Sequence, residues 1–168
     1  MSKTKNQKRN AKLAERAKFE TLCFQVEHYK HLSQFVLPDE SKLLDKELDL
    51  IKENELSEDF LLLQEIIKGV EQQFKALPDN HRGTFNGSAV AYFLGIAIAT
   101  PDQEDTSFLL NTTQPIEYPL QTNVYYDNEI RNEIADWLKE KQYKMSTRFG
   151  QPIIKLPHIV VEIRRIIA

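Results

Sequence analysis

Along the first half of the chain, apolar residues recur at steps of three and four, the spacing that lines one face of an α-helix. One series runs Phe19, Leu22, Val26, Tyr29, with Ser33 and Val36 continuing the phase. A second runs Phe60, Leu63, Ile67, Val70, Phe74 and Leu77. The pattern predicts a long helix over 4–36 that Pro38 stops, and another over 58–77 that Ser57 caps and Pro78 ends. Between them, 40–53 places Leu44, Leu48 and Ile51 on one side, with Asp39 as the expected N-cap. Two matching seams imply that the first and third helices lie side by side, with the second linking or covering them.

Beyond Pro78 the periodicity changes. Residues 80–88 form a polar, glycine-containing loop, and 89–99 is the longest apolar run of the chain. That run reads as a helix capped by Ser88 or as a pair of buried strands, because a short apolar run has no diagnostic period. A polar connection over 101–115 precedes a strand-like stretch, 116–126, interrupted by Pro119. Asp127 opens an amphipathic helix to 142, with Ile130, Ile134, Trp137 and Leu138 inward. The tail holds apolar stretches at 152–156 and 159–167, and the second, rich in β-branched residues, reads as a strand. If Ile159, Val161 and Ile163 face inward, Arg165 shares their phase and must pair with an acid, reach solvent at the sheet end, or meet a partner. The expected fold is α+β: an N-terminal helical layer (a long basic helix plus two more), then a small mixed or antiparallel sheet with one or two packed helices.

Charge divides the chain where hydropathy does not. Within residues 1–18, seven cations face the single acid Glu15, a net charge of +6. The whole chain carries −3, which leaves −9 on residues 19–168. A basic helical extension, 1–18, on one acidic globular domain, 19–168, is therefore expected, each part meeting a different partner. Lys5, Lys8, Arg9, Lys12 and Arg16 recur at three and four and form a cationic stripe suited to polyanions. No aromatic residues interleave with it, so base readout is not implied.

The single cysteine, Cys23, excludes an internal disulfide and fits a reducing, cytoplasmic setting. No apolar run approaches the roughly 20 residues of a membrane span, so no membrane partner is expected. The 80–88 loop is the candidate small-molecule site. Gly83 and Gly87 permit close backbone approach, while Asn80, His81 and Arg82 could meet an anion. The amides after Ser88 offer the positive end of a helix. The loop lacks the Gly-Lys-Ser/Thr ending of a P-loop. The competing reading is an ordinary turn with glycines relieving strain.

His28 and His31, with Glu27 beside them, have a spacing compatible with a metal, but only His81 and His158 remain as further histidines, so no metal and no cofactor is expected. Acidic clusters at 39–59, 102–105 and 127–136 could each hold a carboxylate dyad, but the first alternates with lysines and caps helices and so reads as a solvated face. Tyr125 and Tyr126 are possible interface anchors, and Trp137 reads as core.

These features imply a non-enzymatic binding or adaptor protein whose basic helix docks on nucleic acid, a ribosome or an acidic protein surface. The alternatives are an acidic inhibitor or immunity-type protein that binds a basic target, and an enzyme acting on an anionic substrate at the 80–88 loop. The sequence leaves the oligomeric state open.

Overall fold

The structure is a computed structural model that describes residues 4–101 and 107–167. It contains α1 (Lys5–Leu32), α2 (Leu43–Glu53), α3 (Ser57–Phe74), α4 (Ala89–Phe93), β1 (Leu120–Tyr126), α5 (Arg131–Glu140), β2 (Met145–Arg148), β3 (Gln151–Lys155) and β4 (Ile159–Arg165). The fold is α+β, as the patterning implies: a helical layer followed by a four-stranded mixed sheet ordered β1-β4-β3-β2. β1 and β4 are parallel, and the other pairs are antiparallel.

α1 opens with a capping box. Thr4 Oγ1 accepts from the Gln7 amide at 3.2 Å, and Gln7 Oε1 accepts from the Thr4 amide at 2.9 Å. The helix ends at Leu32, one turn earlier than Pro38 alone predicts. Ser33 is already extended, and its hydroxyl accepts from the Phe35 amide. Val36, placed on the seam by its spacing, therefore falls beyond the helix and is exposed.

Leu22 and Val26 are fully buried, with Phe19 and Tyr29 packed at the margin of the core. α3 contributes Phe60, Leu63, Ile67 and Val70 to the same core. The cross-helix contacts Lys18–Glu58, Gln25–Gln64 and Lys68–Tyr29 advance together along both helices, so α1 and α3 run parallel.

α2 starts later than expected: Ser41, not Asp39, receives the Leu43 amide. Leu56 precedes α3 as its cap residue, and Ser57 is its first helical residue. The 89–99 run resolves into a five-residue helix. Ser88 Oγ accepts from the Ala91 amide, and Gly95 at φ +79° stops the helix. The Ile96 amide reaches Ala91 O and the Gly95 amide reaches Tyr92 O, the paired bonds of a Schellman stop.

β1 begins directly after Pro119. Its residue Tyr126, offered by the sequence as an interface anchor, is instead buried in the core, and burial pushes its phenol pKa up. β2 was not foreseen. It joins β3 through Phe149 and Gly150, both at positive φ, as a two-residue hairpin of that twist requires. Arg165 takes the second of its three options and is exposed at the sheet end. Trp137 packs edge-on against Phe74 at 5.8 Å and closely over Gly69, where a Cβ would lie 3.1 Å from Trp137 Cη2.

Candidate nucleic-acid interface

Every described residue before Glu15 is exposed, so the first turns of α1 stand clear of the body. Lys5, Lys8, Arg9 and Lys12 make no ion pair among the described residues. Residues 5–14 contain no acid. Arg16 is tied to Glu20 at 3.2 Å, four residues on, with both side chains well exposed. Lys18 leaves the ridge and pairs with Glu58 of α3 at 3.1 Å, which fixes the point where the helix joins the body. The stripe thus projects as a cationic ridge whose last member is partly neutralised. Lys3, which adds to the charge of the extension, lies outside the described residues.

At the foot of the ridge, α1 and the end of α2 enclose a cavity of about 530 Å³. Its walls include Lys12, Glu15, Arg16, Phe19 and Lys52. The Lys52 ammonium sits 5.7 Å from the centre of the Phe19 ring. Glu15 Oε1 is buried and has no hydrogen-bond partner among the described residues. Charge patterning located the ridge but not this cavity, because Lys52 is remote in sequence and reaches the site only where the end of α2 approaches α1.

The 80–88 loop is held from within. Asp79 Oδ2 accepts from the amides of His81 at 3.1 Å and Arg82 at 2.7 Å. Asn86 Nδ2 donates to Asp79 O and Arg82 O. The Arg82 guanidinium donates to Ile166 O. Gly83 forms an isolated antiparallel bridge to Val124, and the Thr84 amide donates to Asn123 O at 3.1 Å, so the loop runs along the outer edge of β1. Gly83 at φ +125° and Gly87 at φ +95° take backbone conformations that favour glycine. Asn80 and His81 are exposed, while Gly87 and Ser88 are buried.

The amides after Ser88 already have an acceptor. Glu47 Oε1 accepts from Ala89 at 2.7 Å and Val90 at 3.1 Å, and Glu47 Oε2 accepts from the Ser107 hydroxyl at 2.7 Å. The residue is fully buried. Burial pushes its carboxyl pKa above the usual range, and these hydrogen bonds, with one from Ser88, oppose the rise.

A second buried carboxylate escaped the sequence reading. Asp59, in the first turn of α3, accepts from the amides of His158 at 2.7 Å and Ile159 at 2.9 Å, and its other oxygen lies 3.0 Å from His158 Nδ1. It joins the helical layer to the start of β4, which lies about a hundred residues away in sequence. Tyr118 packs against the His158 ring at 5.4 Å. Pro157 and His158, which separate the two apolar stretches of the tail, were the available signal. The acidic cluster at 102–105 lies outside the described residues.

Residues 10–144 match the family described as the bacterial DNA polymerase III alpha NTPase domain. The match begins within α1 and ends after α5, so it spans the helical layer, the 80–88 loop and β1. The chain belongs to this family. Two relatives from Agrobacterium fabrum agree with it. Error-prone DNA polymerase 3 is 31% identical over 111 residues, 66% of this chain and 10% of that protein. Error-prone DNA polymerase 2 is 30% identical over 107 residues, 64% of this chain and 9% of that protein. The chain spans about a tenth of the length of these curated relatives.

Family membership overturns the reading as a non-enzymatic adaptor and, with it, the inhibitor alternative. Charge and periodicity carry no information on descent, and a polybasic helix is common to many unrelated proteins. Among the described residues, no helix is long and apolar enough to cross a membrane.

Proposed function

We propose that this chain is a DNA-handling domain of the polymerase III alpha type, gripping the sugar–phosphate backbone with Lys5, Lys8, Arg9, Lys12 and Arg16. The observation that carries the reading is the projection of those cations, with no acid in residues 5–14, from a domain whose relatives are named as DNA polymerases. Cations held in water on a helix can each replace a condensed counterion when a phosphate approaches, which releases salt and drives binding.

Polymerases hold divalent ions between carboxylates and substrate phosphates. Among the described residues no three His, Cys, Asp or Glu side chains converge to hold a metal ion. The one acid on the four strands, Glu162, pairs with Arg164 at 3.2 Å. The described residues therefore do not by themselves fit such a centre, and the role supported here is nucleic-acid binding within polymerase work.

Fluorescence anisotropy of the full chain with a labelled DNA strand, titrated across salt concentrations, tests the reading. With four or five phosphates engaged, the logarithm of affinity should fall with the logarithm of salt at a slope of about −3. Reversing Lys5, Lys8, Arg9 and Lys12 to Glu should remove nearly all of that affinity. Unchanged affinity in the reversed variant would overturn the proposal.

A further inference from the structure

We propose that the cavity between α1 and the end of α2 takes one base of a single-stranded nucleic acid, stacked on Phe19 with its exocyclic amino group donating to Glu15. The inference rests on the ridge's grip on the backbone proposed above, and names the form of nucleic acid and the base that the ridge delivers.

Three observations support it. First, Lys5, Lys8, Lys12, Arg16 and Phe19 fall at successive steps of three and four, so the cationic ridge and the aromatic ring share one face of α1. A strand that follows the cations reaches the ring next. Second, the cavity, about 530 Å³, lies within the roughly 300–1,000 Å³ typical of ligand sites and is lined by Phe19, whose ring face the long Lys52 side chain, 5.7 Å from the ring centre, gives up to an arriving base. Third, Glu15 Oε1 is a buried acceptor on the cavity wall with no partner among the described residues. A buried unpaired carboxylate oxygen is costly, and a donor on the ligand relieves that cost. Cytosine and adenine carry such an amino group, and thymine does not.

The other acids of the cavity do not oppose the strand directly. Glu20 is held by Arg16, and Glu55 is exposed to water. Base–aromatic stacking needs an unpaired base, since in a duplex the faces are already stacked. The site therefore selects single strands.

The test compares binding of the full chain to labelled dC and dT ten-mers and to a duplex of the same length, in wild type, Phe19→Leu and Glu15→Ala. Leucine keeps an apolar side chain against the core and removes the flat ring, and circular dichroism confirms the fold of each variant. Wild type should bind the dC strand about tenfold more tightly than the dT strand or the duplex. Phe19→Leu should lose most of the single-strand preference, and Glu15→Ala, which removes the acceptor, the preference for dC over dT, while both keep the salt-dependent affinity of the ridge. Photocrosslinking with a halogenated pyrimidine strand should mark the tryptic peptide 19–30. Equal affinity for all three nucleic acids, or crosslinks confined to residues before Phe19, would overturn the cavity proposal and leave the ridge standing. Absence of salt-dependent binding to any of the three would instead overturn the ridge reading.

Discussion

The cations on the first turns of α1 and the carboxylates of Glu47 and Asp59 are charged groups treated in opposite ways. Lys5, Lys8, Arg9 and Lys12 stay in water with no ion pair among the described residues. Glu47 and Asp59 are fully buried, and each accepts two main-chain amides, with side-chain hydrogen bonds from Ser107 and Ser88 to Glu47 and a contact between Asp59 and the His158 ring. A carboxyl group can be buried when its lost hydration is replaced by fixed donors, and those donors then join segments of the chain. A charge left in water does nothing for the fold and is free for a ligand. The contrast separates scaffold from binding surface more clearly than net charge does.

The contrast would be broken most severely at Asp59. Asp59→Ala leaves the amides of His158 and Ile159 without their acceptor. At 1–3 kcal/mol for each orphaned buried donor, a loss of about 3–5 kcal/mol is expected from urea unfolding midpoints. A loss below about 1 kcal/mol would show that these amides find other partners.

Glu47 gives a smaller effect that depends on pH. Its native pKa is raised, so the native state binds the proton more tightly than the unfolded chain does. Its contribution to stability is therefore fullest below the ordinary glutamate value of about 4.3 and declines as pH rises through the native value. Glu47→Gln retains an oxygen for the Ala89 and Val90 amides but cannot titrate. Thermal unfolding from about pH 4 to pH 7 should show a flatter decline in the variant than in wild type. Identical pH profiles would mean that Glu47 titrates alike in both states.

The Lys18–Glu58 pair stands between the two extremes, with both side chains partly exposed. Lys18→Ala should cost about 0.2–1 kcal/mol, and less at high salt. At the far end, Lys8→Ala with Lys12→Ala should leave the unfolding midpoint within about 0.5 kcal/mol of wild type while weakening DNA binding. If this double variant unfolds much more easily, the projecting turns are part of the scaffold and the contrast fails.

The sequence disclosed the elements whose information is local. The seams through Leu22 and Val26, and through Phe60 to Val70, show in their spacing because burial on one face of a helix imposes it. Ser88 as a cap and the exposed ridge were legible for similar reasons, whereas of the stretch 116–126, read as strand-like across Pro119, only Leu120–Tyr126 forms a strand. β2 was not, because Met145–Arg148 lies at a sheet edge, carries little apolar alternation and turns through Phe149-Gly150 rather than an asparagine or aspartate pair. The shortness of α4 depends on Gly95 taking a positive φ, which an apolar run conceals. Glu47 and Asp59 looked like members of a solvated acidic face. Their main-chain partners are 42 or more residues away, so only the tertiary fold reveals them. The cavity at Phe19 was hidden for the same reason, since Lys52 comes from another helix.

The bridge from Gly83 and Thr84 to β1 has a consequence for how molecules of this chain behave when crowded. One border of the sheet already has a partner along part of its length, supplied by its own polypeptide. Among the described residues, the opposite border is β2, only four residues long and ending in Arg148. A fibre would have to start from that short, cationic rim, which is the kind of margin on which neighbouring strands fail to add.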